Sequence, residues 1–99
     1  MCLILFAFRS HPGYKLILAA NRDEYYNRAT APAAWWDDHP FLLAGKDLDA
    51  GGTWLGITKY GKIAALTNFR GIQPKPNAPS RGLLLSRFLT SHLSIDKYA

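Results

Sequence analysis

The sequence predicts an α+β domain in which antiparallel hairpins form a sheet and one helix packs on it. Apolar, β-prone residues fill Cys2–Arg9 and return over Tyr14–Asn21, so these two runs predict a first hairpin. A second pair of strands is predicted over Thr53–Thr58 and Lys62–Asn68, joined at a glycine-containing turn. An amphipathic segment, Ser80–Leu89, predicts the helix.

The first hairpin brings the N-terminal cysteine close to a polar run. If the turn takes the four residues after Arg9, then Arg9 pairs with Tyr14 and Cys2 lies opposite Asn21. If the strand register shifts by one residue, Cys2 lies opposite Ala20 or Arg22 instead. Either register predicts that the thiol lies beside the run 21–24, which reads Asn-Arg-Asp-Glu.

The segment between the predicted hairpins contains prolines and tryptophans. Pro32 and Pro40 bracket it, which favours a surface loop. Trp35 or Trp36 then covers a cleft or, in the plainer interpretation, caps the core. A short strand follows over residues 41–46, and Gly45 is expected to mark its end.

Small residues in the second hairpin and the pattern of the last segment predict how the helix packs. Gly56, Ala64 and Ala65 are small for a sheet interior, so a helix is expected to lie close against that face. Ser80 is the expected N-cap of this helix. Its apolar face is predicted from helical spacing. The residues of that face are Leu84, Leu85, Phe88 and Leu89.

Length and composition indicate one modest globular domain. The chain has 99 residues and is 48% hydrophobic, and its apolar runs are too short to span a bilayer. No basic stretch precedes the first strand, so a secretory signal is not expected. The single cysteine excludes an internal disulfide, which fits a reducing compartment. We therefore expect a cytoplasmic protein without a transmembrane segment; the oligomeric state is left open.

The charge is unevenly distributed. Net charge is +5, yet the segment from Ala50 to Ile95 contains no acidic residue. Its basic residues are Lys59, Lys62, Arg70, Lys75, Arg81 and Arg87. One interpretation is a basic wall for a small anionic or amphipathic ligand; the other is that acids elsewhere pair with these residues. The basic residues are not clustered, so nucleic acid is not an expected partner.

The position of Cys2 makes it a candidate nucleophile. Removal of Met1, which aminopeptidases perform before a small residue, would leave a thiol and an α-amine on one residue. Such an amine has a pKa of about 7.7–8.0 and the thiol one of about 8.5, so the pair combines a base with a nucleophile. N-terminal-nucleophile (Ntn) hydrolases use this pair. The alternative is that Cys2 is an ordinary buried thiol.

Several separated motifs resemble one family. Cys2, the run 21–24, the segment 50–56 (Ala-Gly-Gly-Thr-Trp-Leu-Gly) and the segment 66–70 (Leu-Thr-Asn-Phe-Arg) are similar to the NRDE-motif family, also named for transport and Golgi organisation (the TANGO type). This resemblance implies an Ntn-hydrolase-like layered sandwich. It also implies that residues 1–99 are the N-terminal portion of a single domain that is longer in other members.

Roles for individual residues follow from this chemistry and this resemblance. Asp23 is expected to hold the α-amine, although a turn or cap role is its alternative; Arg22 pairs with Asp23 or Glu24, or polarises a bound carbonyl. The resemblance of segment 66–70 to Cys-dependent bile-salt and penicillin V acylases implies that Asn68 contributes to an oxyanion hole. In those acylases an arginine stands where this chain has Ala20. The candidate catalytic residues are Cys2, Arg22, Asp23 and Asn68, and the candidate substrate-binding residues are Asn21, Trp54, Arg70 and Arg81.

Three functions remain open from the sequence. The first is a Cys-dependent hydrolase of amide or acyl bonds. The second is a non-enzymatic carrier of an amphipathic anion that would use the aromatic residues and the basic wall, and the family resemblance suggests haem as its ligand. The third is a structural or trafficking role with a vestigial site. No cofactor is required for the first, and the scattered histidines lack the spacing of a zinc site. His39 is the candidate axial ligand if haem is bound; a surface histidine is its alternative.

Overall fold

The computed structural model describes residues 3–67 and 81–92. It has a mixed α+β fold with a two-stranded and a four-stranded antiparallel sheet, which confirms the predicted class. The elements are β1 (Leu3–His11), β2 (Tyr14–Asn21), β3 (Thr30–Trp35), β4 (Leu42–Asp47), β5 (Leu55–Thr58), β6 (Ile63–Ala65) and α1 (Arg81–Thr90). The chain divides into two compact units, residues 1–25 with 67–72 and residues 26–66 with 73–99. The Ntn-like sandwich and the single domain remain predictions.

The first unit contains the predicted hairpin in a register one residue away from the preferred one. Leu3, rather than Cys2, lies opposite Asn21. The turn takes two residues instead of four, because His11 pairs with Tyr14. A bulge then changes the register between Phe8 and His11, and Arg9 within it has a positive φ of 56°. The shorter turn alone would move the register by two residues, and the extra residue in the bulge restores one of them, which leaves the observed difference of one residue.

Both faces of this hairpin are apolar. Because side chains alternate along a strand, Leu5 points to one face and Phe6 and Phe8 point to the other. Phe6 pairs with Leu18 and is 70% exposed, and Phe8 is 59% exposed. Two strands alone cannot bury two apolar faces, and an isolated hairpin of this kind is only marginally stable in water.

The second unit begins with a strand that the sequence did not predict. Residues 30–35 form β3, so the expectation of a surface loop between the two prolines was wrong for its first part. Pro32 is tolerated because β3 is an edge strand and its register shifts between Ala31 and Ala34. Proline lacks the N–H that a central strand must donate, and edges and bulges are where it fits. Trp35 belongs to this strand and pairs with Leu43.

The helix covers one face of the four-stranded sheet, as the small residues predicted. A Cβ on Gly56 would lie 2.7 Å from Leu89 Cδ1 and 3.1 Å from Ala44 Cβ. Leu42, Ala44 and Leu89 form the buried apolar core of the described residues. Gly56 pairs with Ala44 and Ala64, so a row of small residues lets the helix approach the strands.

Several boundaries differ from those predicted. Strand β4 continues through Gly45 to Asp47, so this glycine does not end it. Strand β5 begins at Leu55, two residues later than expected. Leu84 is 61% exposed and is not part of the packed face of α1, whereas Ser86 is buried. The expected cap, residue 80, lies outside the described residues. Within the ranges 3–67 and 81–92, no helix has the length and apolarity needed to cross a membrane.

Candidate functional site

The polar run 21–24 lies where β2 ends, and its first residue is bonded to β1. Asn21 is the last residue of β2 and lies opposite Leu3. Its side-chain Oδ1 accepts a hydrogen bond of 2.7 Å from the Leu3 backbone N–H. The bond joins residues 18 positions apart in sequence. The start of β1 is therefore tied to the start of the run by a side chain as well as by the strand pairing.

The next three residues form a half-buried charged cluster. Arg22, Asp23 and Glu24 all have intermediate exposure. Arg22 Nη2 lies 3.7 Å from Glu24 Oε2, so Arg22 forms an ion pair with Glu24, one of the two partners that the sequence offered. Glu24 Oε1 also accepts a hydrogen bond of 3.0 Å from the Tyr25 N–H. Glu24 thus holds both the Arg22 guanidinium and the chain that leaves the strand.

The other predicted site residues lie apart from this cluster in sequence. Cys2, Asn68 and Arg70 are outside the described residues. Trp54 and Arg81 belong to the second unit. Arg81 is the first residue of α1 and is exposed. The structure therefore brings together Asn21, Arg22 and Asp23, while the roles assigned to all these residues remain predictions.

Trp54 lies in a segment in which Gly52 allows close packing. A Cβ on Gly52 would lie 2.3 Å from the Gly82 carbonyl carbon, so only glycine lets this loop meet the first turn of α1. Thr53 is buried, and its N–H donates to the Gly82 carbonyl oxygen at 3.2 Å. The Trp54 ring lies over Gly45, where a Cβ would be 2.6 Å from two ring carbons. This motif joins helix to sheet in the second unit.

Two lysines of the proposed basic wall have partners in the second unit. Lys62 Nζ donates to the carbonyl oxygens of Phe88 and Ser91, at 3.1 and 2.6 Å. A cation at the carboxyl end of a helix satisfies carbonyls that lack helical partners. Lys59 Nζ lies 4.9 Å from the centre of the Trp35 ring. Lys62 therefore stabilises the end of α1, whereas Lys59 is exposed and contacts an aromatic ring.

One ion pair was missed by the sequence analysis. Arg28 Nη2 lies 2.7 Å from Asp47 Oδ2, and Asp47 Oδ1 accepts bonds from the N–H groups of Asp49 and Ala50. Burial alone would raise the pKa of Asp47. The hydrogen bond from Arg28, the two backbone N–H groups and the Arg28 charge outweigh it, so the pKa lies below the usual value. The available signal was an aspartate at the start of a turn that leads into Gly51-Gly52.

Metal binding has little support from the described residues. Within ranges 3–67 and 81–92 there is no group of three or more His, Cys, Asp or Glu side chains suited to a metal ion. His39, the candidate haem ligand, lies edge-on to the Phe41 ring with a centroid distance of 5.7 Å. Its Nε2 is 3.9 Å from Asp38 Oδ2. The imidazole thus already has neighbours on two sides.

The class that these features define is an α+β protein whose first hairpin carries a charged cluster at its strand end. A sequence model of one family, Transport and Golgi organisation 2 (TANGO2), matches residues 1–99. The chain therefore belongs to the TANGO2 family, which confirms the resemblance seen in its motifs.

Relatives in animals share this match over most of the chain. The mouse protein "Transport and Golgi organization 2 homolog" is 47% identical over 105 residues, covering 99% of this chain and 38% of the relative. The human homologue is 44% identical with the same coverage. The fruit-fly protein is 44% identical over 100 residues, covering 91% of this chain and 35% of the relative. The chain thus spans less than two fifths of the length of these curated relatives.

Proposed function

We propose that this chain supplies the nucleophile-bearing part of a cysteine-dependent hydrolase of amide or acyl bonds. Cys2 is the nucleophile once Met1 has been removed. The observation that carries the proposal is the 2.7 Å bond from the Leu3 N–H to Asn21 Oδ1. The Leu3 nitrogen belongs to the peptide bond that follows Cys2, so this contact supports a role for run 21–24 in the proposed chemistry.

In this proposal each charged group has a chemical role. The α-amine of Cys2 takes the thiol proton as the thiolate attacks the substrate carbonyl carbon, and it then protonates the leaving amine or alcohol. Water releases the acyl group from the resulting thioester. Asp23 holds the protonated amine, Arg22 favours the thiolate, and the backbone N–H of Asn68 stabilises the oxyanion.

The Arg22–Glu24 pair limits how strongly Arg22 acts. At 3.7 Å, Glu24 offsets part of the guanidinium charge that would otherwise favour a thiolate. Asp23 adds a second negative charge. We therefore expect the pKa of the Cys2 thiol to be lowered moderately, by its own ammonium group and by Arg22 together.

The test uses the full-length protein and separates catalysis from simple thiol chemistry. Intact mass should show loss of Met1, and iodoacetamide should label Cys2 faster at pH 7 than it labels a peptide with an N-terminal cysteine. Cys2→Ser should nearly abolish acyl transfer to a panel of amide and thioester substrates while the fold persists. Retention of Met1, or peptide-like labelling of an accessible thiol, would decide against the hydrolase.

The alternative is a carrier of haem or a related amphipathic anion. The exposed apolar side chains of the first hairpin favour it, with Phe6 and Phe8 more than half exposed. The exposed Arg81 and the Lys59–Trp35 contact add cationic groups in the second unit. Replacing Arg70 and Arg81 with Gln should weaken haem binding and reduce its dependence on salt. Unchanged affinity at low salt would assign both arginines to solvated surface, and a carrier should bind equally well after Cys2→Ser.

The names of the relatives add a cellular context to both alternatives. We propose that the full-length protein is cytoplasmic and acts in transport or Golgi organisation. It acts there either through its hydrolase activity or in a structural role, in which case the Cys2 site is vestigial. Cell fractionation tests the location. Rescue of Golgi morphology by Cys2→Ser in cells lacking the protein would indicate a role independent of catalysis.

A further inference from the structure

We propose that the tip of the first hairpin, residues 8–15, docks on an anionic membrane surface. The tip comprises the end of β1, the two-residue turn and the start of β2. The inference goes beyond the hydrolase and the carrier, because it involves neither the Cys2 thiol nor a bound small ligand. Every residue of the tip is exposed, its full charges are all positive, and its aromatic rings lie beside cationic or polar groups.

The charge of the hairpin has one sign. Arg9 and Lys15 are exposed, and the first acidic residue of the chain is Asp23, beyond the end of β2. Because no carboxylate within either strand offsets these cations, the tip presents a positive potential to the solvent. Anionic lipid headgroups complement this charge, and each Lys or Arg held near such a surface strengthens binding by about fivefold.

The aromatic side chains of the tip supply the apolar part of the contact. Phe8 is 59% exposed and Tyr14 is 64% exposed. The Arg9 guanidinium lies 5.2 Å from the centre of the Phe8 ring, and the His11 and Tyr14 ring centres are 5.4 Å apart. Rings with polar neighbours suit the boundary between headgroups and acyl chains, where the ring leaves water and the polar group stays in it. The tip therefore combines charge attraction with shallow insertion.

Local contacts order the tip before it binds. Arg9 has a positive φ of 56° within the bulge, and bulges change the direction in which side chains point. Ser10 Oγ donates to the Phe8 carbonyl oxygen at 3.3 Å, and the Gly13 N–H donates to His11 Nδ1 at 3.0 Å. A surface whose groups are already ordered loses less conformational entropy on binding.

A membrane fits the tip better than a small soluble anion does. Sites for small ligands are concave and bury most of the ligand among converging groups, whereas no residue of the tip is buried. An extended lipid surface needs no cavity, since it contacts protruding side chains directly. The cytoplasmic leaflets of cellular membranes carry the anionic lipids, which agrees with the location proposed above.

The experiment measures sedimentation of the full-length protein with phosphatidylcholine vesicles that either contain or lack phosphatidylserine. Arg9→Gln and Lys15→Gln each remove one charge from the tip. Arg87→Gln is the matched control, because Arg87 is an exposed cation of α1 in the second unit. Phe8→Gln and Tyr14→Gln remove the rings. Circular dichroism and amide hydrogen exchange in β1 and β2 report whether each variant keeps its fold, and the charge variants test the proposal even if a ring variant unfolds.

We expect binding to the vesicles that contain phosphatidylserine and none to those that lack it. Loss of either tip charge should weaken binding by about fivefold, with Arg87→Gln unchanged, and added salt should weaken binding of the wild type. Loss of either ring should weaken it by about tenfold, the lower end of what burial of such a side chain contributes. Cys2→Ser should bind as the wild type does, which separates this result from the test of the hydrolase.

Four results would overturn the proposal. Absence of vesicle binding would mean that the tip of the full-length protein does not dock on lipid, and equal losses in Arg87→Gln and the tip variants would mean that only net charge matters. Wild-type affinity in both folded ring variants would exclude insertion. Displacement of the vesicles by glycerophosphoserine, which has the headgroup without acyl chains, would make the tip a site for a soluble anion.

Discussion

The first hairpin and the four-stranded sheet are both antiparallel, but different forces hold them. Strands β1 and β2 are joined by backbone pairing, the Asn21 side chain and local contacts, and apolar side chains such as Phe6 remain largely exposed. Strands β4–β6 are covered by α1, which buries Leu42, Ala44 and Leu89. Burial of apolar surface is the main stabilising term in folding, so the second unit carries most of the tertiary stability visible in the described residues.

The two units also differ in role, because one contains the charged cluster and the other contains most of the close packing. The charged cluster lies at the end of β2 in the weakly packed hairpin, while the segment 50–56 makes close packing contacts within the second unit. Binding and catalytic groups are often placed on segments of low local stability, supported by a more rigid part of the protein. A substitution should therefore have opposite consequences in the two units: a large change in stability in the sheet, and a small one in the hairpin.

Replacing one glycine in each unit tests this difference with the largest expected effect. In Gly52→Ala, the new Cβ would lie 2.3–2.6 Å from backbone atoms of residues 82 and 83, which cannot move without shifting α1. We expect the free energy of unfolding to fall by about 3 kcal/mol. Urea denaturation followed by circular dichroism measures it.

Gly13→Ala is the matched change in the hairpin. Its Cβ would meet the His11 ring at 3.4 Å, an ordinary contact, so the free energy should change by about 0.5 kcal/mol or less. Similar losses in both variants would mean that the hairpin is packed as tightly as the sheet, and the contrast between the units would be abandoned.

The Arg28–Asp47 ion pair should make the free energy of unfolding of the second unit decrease at acidic pH. The pKa of Asp47 is lower in the folded protein than in the unfolded chain, so its contribution to stability is complete at neutral pH. It is lost as the pH falls below about 4, the unfolded value, and through the lowered folded value. We expect Asp47→Asn to reduce the free energy of unfolding by about 2 kcal/mol at pH 7, because the charged partner of Arg28 is removed.

The difference between wild type and Asp47→Asn should shrink at low pH. Urea titrations between pH 2 and 7 measure it, with Asp49→Asn as a control because that side chain is exposed. A constant difference at every pH would mean that the loss comes from packing and not from the charge on Asp47.

The sequence predicted the fold where local pattern and tertiary packing agree. The hairpin runs and the small residues at Gly56 and Ala64 led to the correct class and to a helix on that face. The predicted register was wrong because the turn takes two residues instead of four and a bulge at Arg9 corrects only part of that shift, and composition reveals neither feature. Strand β3 was missed because proline is a poor indicator of strand, although an edge position with a bulge accommodates Pro32.

The sequence predicted which residues belong to the candidate site, but it did not predict the contacts between them. The run 21–24 was located from its position at the end of the second predicted strand. Arg22 was expected to pair with Asp23 or Glu24, or to polarise a bound carbonyl. The bond from Asn21 to the Leu3 N–H requires the observed register, in which these residues lie opposite each other. The preferred register placed Cys2 opposite Asn21 instead, so the sequence did not predict this bond. The Lys62 contact with α1 joins residues up to 29 positions apart, and no local pattern indicates it.

Lys62 provides the test with the smallest expected effect on the difference between the second unit and the first hairpin. Lys62 Nζ donates to the Phe88 and Ser91 carbonyls and to Ser91 Oγ, and it lies 4.7 Å from the Phe88 ring centre. Lys62→Met keeps the apolar stem and removes the charge and its donors. The free energy of unfolding should fall by about 1 kcal/mol, because these carbonyls lose a cationic partner at the helix end.

Two exposed lysines serve as references for this change. Lys59 lies over the Trp35 ring and Lys15 lies in β2 of the hairpin, so Lys59→Met and Lys15→Met should each cost about 0.5 kcal/mol or less. Hydrogen exchange adds a local measure: after Lys62→Met, the amides of the last turn of α1 should exchange faster while those of β1 and β2 stay as in the wild type. If all three variants lose the same free energy of unfolding, Lys62 contributes only its positive charge and not its specific contacts with the end of α1. Faster exchange in the hairpin would mean that the two units are coupled in stability.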